Sequence, residues 1–144
     1  MAVKTAVMIL AALALAGCQT TSGVTVSNDG SEITIQGTLV AMSGAELRIE
    51  FGAALDTDCT PTTPPPVFRL VKAPEHGTFA TRSVEEFPNF SKDSPRSACN
   101  LKRVPGELVT YRSEPGWTGR DTLIYEIFLR SGRRIEKRAT IDVR

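Results

Sequence analysis

The sequence predicts an all-β sandwich. Three observations support this fold class: apolar residues recur with a period of two, short apolar segments are separated by Pro and Gly, and no segment has the 3.6-residue period of an amphipathic helix. The chain of 144 residues is long enough for one domain. Many short strands joined by turns, without helices, are typical of two packed antiparallel sheets.

The N-terminal residues predict a signal peptide rather than a strand or a membrane span. Lys4 supplies a positive charge, and residues 6–16 follow without a polar side chain. A helix that crosses a membrane needs about 20 apolar residues. This shorter stretch is typical of a signal-peptide core, and we predict that residues 1–17 are removed.

The end of this apolar stretch, LAGC at residues 15–18, resembles the lipobox of bacterial lipoproteins. The resemblance implies cleavage before Cys18 and acylation of its thiol, with palmitate among the chains, so that the protein is anchored to a membrane. Gln19, in place of Asp, implies delivery to the outer membrane, with the side that the domain faces left open. An ordinary secretory signal is the alternative. Residues 18–31 are rich in Thr, Ser and Gly and predict a flexible tether.

The domain itself is predicted over residues 32–144, beginning with short strands. Alternating apolar and polar residues predict strands at 32–36, 47–51, 67–72 and 78–81. Residues 61–66, PTTPPP, cannot join a central ladder because proline lacks the N–H donor. They predict an extended connection, and residues 74–77, PEHG, predict a turn.

The second half of the domain contains the clearest strands. Residues 82–106 are polar and predict a long loop, followed by strands at 108–111, 123–129 and 135–143. Residues 130–133, RSGR, predict the tight turn of a hairpin. Ile124 and Phe128 fall on the outward parity of their strand. We expect them to pack under the long loop with its phenylalanines, Phe87 and Phe90, the alternative being contact with a partner.

The cysteines predict one disulfide. If Cys18 carries lipid, Cys59 and Cys99 remain as an even pair in an oxidising compartment. Both lie in turn-rich polar segments rather than in apolar runs, which favours a bridge over two buried thiols. Closing a loop of about 40 residues stabilises a fold by about 4 kcal/mol.

Two segments resemble a known repeat pattern. Residues 74–78, PEHGT, and residues 109–125, VTYRSEPGWTGRDTLIY, are similar to the bacterial immunoglobulin-like (cadherin-like) tandem repeats. The resemblance covers residues 67–143 and implies an immunoglobulin-like β-sandwich. Within the motif, Asp121 is expected to accept backbone N–H bonds, and the aromatic residues are expected to lie between the sheets: Trp117, Tyr111 and Tyr125. The family's Asp-rich calcium motifs are missing, so no metal or cofactor is expected.

Residues suited to catalysis are few. His76 is the only histidine, no G-x-S-x-G surrounds a serine, and P-E-H-G fits a turn. Asp56 and Asp58 are expected to be solvated turn residues rather than metal ligands. Glu85 and Glu86 are adjacent and would point to opposite faces of a strand, which argues against a paired acid and base. The sequence therefore predicts a protein without enzymatic activity.

The charge distribution points to one basic surface. Residues 18–90 hold four basic and nine acidic side chains, whereas residues 91–144 hold twelve basic and seven acidic ones. The basic residues concentrate around the last hairpin: Arg130, Arg133, Arg134, Lys137 and Arg138. This cluster predicts binding of an anionic polymer, and the alternative is a charged strand protected against edge-to-edge aggregation. Nucleic acid is not expected, because no aromatic stacking residue lies within the cluster.

These observations predict a non-enzymatic lipoprotein of the cell envelope that acts as a binding or structural module. Its expected partners are an envelope protein, peptidoglycan or lipopolysaccharide, in addition to the membrane that holds Cys18. The alternative is a periplasmic inhibitor or assembly factor that inserts the loop around Cys99 into an envelope enzyme. Ligand identity and oligomeric state do not follow from the sequence.

Overall fold

The computed structural model describes residues 25–28 and 32–144, in which strands form two packed sheets. The strands are β1 Thr25–Asn28, β2 Glu32–Ala41, β3 Glu46–Gly52, β4 Val67–Lys72, β5 Gly77–Glu86, β6 Val104–Ser113, β7 Gly119–Phe128 and β8 Arg134–Val143. A short 3-10 helix, Ser97–Leu101, precedes β6. The all-β sandwich is confirmed. The predicted signal peptide, residues 1–17, and Cys18 lie outside the described residues.

The two sheets differ in size and in strand direction. One has five strands in the order β1-β2-β8-β7-β4, and the other has three in the order β3-β6-β5. The predicted sandwich was antiparallel throughout, whereas β2 and β8 pair in parallel, from Glu32 opposite Arg134 to Ala41 opposite Val143. Parallel neighbours need a long crossover connection, and here all the strands from β3 to β7 lie between them in the chain.

The folded part begins earlier than predicted. Residues 25–28, which the composition assigned to the tether, form β1 and pair antiparallel with β2. The pairing joins Thr25 to Gln36 and Asn28 to Ile33. A strand of four residues is too short for alternation to show in the sequence, so the composition alone did not reveal it.

The long loop predicted at residues 82–106 is shorter in the structure. β5 continues to Glu86 and β6 begins at Val104, and their register is unbroken from Gly77 opposite Ser113 to Glu86 opposite Val104. Most side chains of β5 are solvent-exposed because it is an edge strand of the smaller sheet. Polar residues therefore occupy it without an apolar alternation. The prediction of a loop was wrong for residues 82–86 and 104–106, which are strand, whereas residues 87–103 lie between the strands as predicted.

The core lies between the sheets and is built mainly from β6, β7 and β8. Its largest fully buried side chains include Tyr111, Leu123, Tyr125 and Ile141. The predicted burial of both tyrosines is confirmed, and Trp117 packs at the margin of this cluster. The hairpin turn between β7 and β8 is also confirmed, with Gly132 at φ +80°.

A second cluster lies under the disulfide. Cys59 and Cys99 are bridged as predicted, with a Cα–Cα distance of 5.4 Å. Cys99 is buried with Leu55 and Val104, and Phe90 packs against them. The expectation that Phe87 and Phe90 cover Ile124 and Phe128 was therefore wrong for Phe90, which belongs to this cluster. Phe87 does not cover Phe128 either. Phe87 is exposed beside Arg103, and Arg69 lies over the Phe128 ring at 4.9 Å.

Candidate functional site

The residues that resemble the repeat motif meet around one buried carboxylate. Asp121 is the third residue of β7 and is 3% exposed. It accepts hydrogen bonds from the backbone N–H groups of Glu75, His76 and Thr122, at 2.9 to 3.0 Å, and from the Tyr111 hydroxyl at 3.0 Å. The expectation for Asp121 is confirmed. The carboxylate ties the turn before β5 to the start of β7, which is a structural role.

This arrangement shifts two pKa values in opposite directions. Burial opposes ionisation of Asp121, but the hydrogen bonds that it accepts outweigh burial and hold its pKa below the ordinary value. Burial, then the hydrogen bond to Asp121, raises the pKa of Tyr111. Asp121 is therefore an anion at neutral pH, and Tyr111 is its neutral donor.

The only histidine is part of the same end of the sandwich. His76 stacks on Trp117 with ring centroids 4.3 Å apart and an interplanar angle of 14°. Its Nδ1 lies 3.8 Å from a carboxylate oxygen of Glu114. A Cβ added to Gly119 would lie 3.0 Å from the Trp117 ring. The Trp117 ring thus contacts His76 and lies close to Gly119, which gives this histidine a packing role.

Two of the remaining carboxylates singled out from the sequence, Asp58 and Glu86, have separate local partners, and the Asp56 side chain is exposed. Asp58 accepts hydrogen bonds from the backbone N–H and the hydroxyl of Thr60, and the hydroxyl bond in particular lowers the Asp58 pKa. Glu86 lies 3.6 Å from Arg48, and Glu85 is its neighbour on β5. Within residues 25–28 and 32–144, no group of three or more His, Cys, Asp or Glu side chains could hold a metal ion.

The five basic residues around the last hairpin do not form one surface. Three of them contact carboxylates. Arg134 pairs with Glu126 at 2.8 Å, Lys137 with Glu50 at 2.6 Å, and Arg138 with Glu136 at 2.6 Å.

These three residues also lie on different faces of β8. Lys137 alternates with Arg134 and Arg138, so it faces the other sheet. There its partner Glu50 also accepts a hydrogen bond from the Tyr125 hydroxyl at 2.8 Å. Burial, together with Glu50, raises the pKa of Tyr125. Lys137 is therefore part of an ion pair between the sheets.

Sequence periodicity missed Glu50 because of a β-bulge. The alternation of residues 46–51 places Glu50 on the solvent face, but the register of β3 against β6 shifts between Arg48 and Glu50. The extra residue at the bulge reverses the alternation, and Glu50 turns toward Tyr125 and Lys137.

Glu126 was missed for a different reason. Its side chain is only 4% exposed although it lies on the outer face of the larger sheet. Arg69 from β4 and Arg134 from β8 cover it from both sides, with one carboxylate oxygen each. The sequence around Glu126 gives no sign of its burial, because the side chains that cover it come from two other strands.

Two arginines remain at the tip of the hairpin. Arg130 and Arg133 are exposed, and within the described part of the chain their side chains form no ion pair. The tip is closed by a bond from the Leu129 N–H to the Arg133 carbonyl at 3.0 Å. Among the described residues, the predicted basic cluster is thus reduced to two guanidinium groups without ion pairs, at one end of the sandwich.

An open cleft begins beside this tip. It consists of two adjoining cavities of about 490 Å³ and about 640 Å³. Four residues are shared by the walls of both cavities: Ala53, Pro66, Phe90 and Leu129. We call the first cavity, which lies between the sheets, the inner half, and the second the outer half. The outer half includes Arg96 and Arg130 in its wall.

The disulfide loop, residues 87–103, forms one side of this end. The 3-10 helix contains Cys99, and the Asn100 side chain donates to and accepts from the Phe90 backbone at 2.9 Å. Arg96 donates through Nε to the Leu55 carbonyl. Leu101 is 83% exposed and Phe87 is 52% exposed on the same loop. The disulfide and these hydrogen bonds therefore hold the loop in place, while two of its large apolar side chains remain exposed to solvent.

Comparisons with protein-family models, with curated protein sequences and with solved structures found no match to this chain. Among the described residues, no helix is long and apolar enough to cross a membrane. The fold and the end of the sandwich that carries the cleft therefore have to support any functional assignment.

Proposed function

We propose that this chain is a non-enzymatic lipoprotein of the bacterial cell envelope, held in the outer membrane through Cys18, whose domain binds an anionic envelope polymer. The observation that carries the binding role is the hairpin tip, where Arg130 and Arg133 project without carboxylate partners in the described part of the chain. Guanidinium groups bind carboxylates and phosphates with two parallel hydrogen bonds, and such groups are abundant in envelope polymers.

The domain is of the immunoglobulin-like type in this proposal. The strand order supports it: β3, β6 and β5 form one sheet, and β4, β7 and β8 lie in the other. These correspond to the B-E-D and C-F-G groups of an immunoglobulin sandwich. In such sandwiches the connections cluster at the two ends, and binding surfaces are commonly formed there. The hairpin tip and the disulfide loop share one end here.

A charge-reversal variant tests the binding role. We expect Arg130→Glu with Arg133→Glu to reduce binding to vesicles that contain lipopolysaccharide at least tenfold, because attraction becomes repulsion. The matched control is Lys72→Glu with Arg144→Glu, which changes the net charge equally at exposed residues away from the tip. Equal binding by the two variants would contradict the proposal, as would binding that does not weaken with added salt.

Lipid anchoring is tested separately. Mass spectrometry of the mature protein should find an acylated N-terminal Cys18, and Cys18→Ser should release the protein from membranes. Protease treatment of intact and lysed cells then decides which side of the outer membrane the domain faces. A mature protein that keeps residues 1–17, or lacks acyl groups, would refute the anchor.

The disulfide loop favours a second candidate function, inhibition or assembly of an envelope enzyme. The exposed side chains of Phe87 and Leu101 are the specific observation, because fixed apolar groups on a loop are typical of protein contacts. Phe87→Ser with Leu101→Ser should then abolish capture of a protein partner, while the Arg130 and Arg133 variant retains it. Val40→Ser with Met42→Ser, at exposed positions around the end of β2, is the control.

A further inference from the structure

We propose that the cleft binds a single-chain anionic amphiphile, a fatty acid carboxylate, with the acyl chain in the inner half and the carboxylate in the outer half. This site is separate from the polymer-binding hairpin tip and shares one residue with it, Arg130. Cavities of about 300–1,000 Å³ with apolar walls and a few polar groups are typical of small-molecule sites. Both halves are of this size, at about 490 Å³ and about 640 Å³.

The inner half has the walls that an acyl chain requires. Side chains from both sheets and from the disulfide loop line it: Ile49, Phe68, Phe90, Ile127, Leu129 and Ile135. Burial of each methylene against such walls is favourable, because it removes apolar surface from water.

The charged groups in the inner half neutralise each other. They are Glu50 and Lys137, which form an ion pair at 2.6 Å, and Tyr125 donates to Glu50 as well. Neither group is left to hold a ligand charge. A carboxylate head therefore has no partner in the inner half, and an uncharged chain is accommodated there instead.

The outer half supplies the positive charge. Arg96 and Arg130 line it, and within the described residues neither forms an ion pair. Arg96 is oriented by its Nε bond to the Leu55 carbonyl, which leaves its other N–H groups for a ligand. Asp56 is the one carboxylate in this wall, so positive charge prevails. The order of apolar and basic walls along the cleft gives the orientation of the amphiphile.

The test is a calorimetric titration of the mature, disulfide-bonded domain with dodecanoate below its micelle concentration. We expect saturable one-to-one binding, about fourfold weaker for each methylene removed in a series down to octanoate. Dodecyltrimethylammonium, which has the same chain and the opposite charge, should bind at least tenfold more weakly. No saturable binding, or equal binding of the two head groups, would overturn the proposal.

Two variants locate the ligand. Ala53→Phe fills the boundary between the halves and should abolish dodecanoate binding, whereas Ala45→Phe, at an exposed position away from the cleft, should not. Arg130→Glu should weaken dodecanoate binding at least tenfold but leave the chain-length dependence unchanged. Trp117 fluorescence reports whether each variant is folded.

The two proposals fail in different ways. Loss of dodecanoate binding in Ala53→Phe with lipopolysaccharide binding intact supports a cleft distinct from the polymer surface. If Ala53→Phe does not fold, the chain-length series and the comparison of dodecanoate with dodecyltrimethylammonium decide. Dodecanoate binding that is unchanged in a folded Ala53→Phe variant would overturn the assignment to the cleft.

Discussion

Removal of the Asp121 carboxylate is expected to cost more stability than removal of any exposed carboxylate of this domain. In Asp121→Ala the carboxylate is lost while four donors remain: three backbone N–H groups and the Tyr111 hydroxyl. Hydrogen bonds to a charged group contribute about 1.5–3 kcal/mol each, and the cost of burying the carboxylate offsets part of that sum. Because some of the freed donors regain water, we expect a loss of about 4 kcal/mol.

The assay is urea unfolding followed by the fluorescence of Trp117, the only tryptophan in the chain. A loss of about 4 kcal/mol corresponds to about 16 °C in Tm for a domain of this size. Tyr111→Phe removes one of the four donors and should cost about 1 kcal/mol.

Asp142→Ala is the matched control. Asp142 lies on β8, is partly exposed and pairs with Arg120 at 2.9 Å, so its removal should cost less than about 1 kcal/mol. If Asp121→Ala and Asp142→Ala lose similar stability, the buried carboxylate does not hold the β5 and β7 segments together and the reasoning is refuted.

Three further predictions concern the same domain. The double variant Cys59→Ser with Cys99→Ser should lose about 4 kcal/mol in urea unfolding, because the bridge closes a 40-residue separation; a loss below about 1 kcal/mol would contradict this. Gly77→Ala should lower the free energy of unfolding by roughly 2 kcal/mol or more through overpacking. An added Cβ would lie 2.4 Å from the Tyr111 ring and 2.7 Å from a backbone carbonyl. A Tm equal to that of the parent protein would refute this. The folded-state pKa of Asp121 lies below its ordinary value, so its contribution is present above the unfolded pKa of about 3.9 and is lost as pH falls through the folded pKa; Asp121→Asn should abolish that part of the acid dependence in unfolding titrations.

The strands that sequence periodicity found are those that face the core on one side. Residues 123–129 and 135–143 alternate because their inner side chains, such as Leu123 and Ile141, are fully buried between the sheets. Only residues 78–81 of β5 were predicted, because β5 is an edge strand with mostly exposed side chains. An exposed strand is held by its backbone ladder, which leaves no apolar pattern in the sequence.

The candidate site was predictable only in part. The sequence indicated a basic hairpin, but it did not separate Arg130 and Arg133 from Lys137, which faces the other sheet. Arg96 gave no signal at all, since it lies far along the chain from the hairpin and lines the cleft only through the fold. The sequence shows how many basic residues lie near the hairpin, but only the structure shows which of them are paired with carboxylates.

Local sequence was enough to predict the all-β class, the turn positions and the pairing of Cys59 with Cys99, because these follow from local periodicity, from turn residues and from the presence of two cysteines in residues 32–144. Tertiary structure alone decided the parallel pairing of β2 with β8, the inward rotation of Glu50 at its bulge and the cleft beside the hairpin tip. Each of these depends on contacts between residues far apart in the chain. These contacts stabilise the protein only after the two sheets have packed, so no single segment of the sequence reveals them.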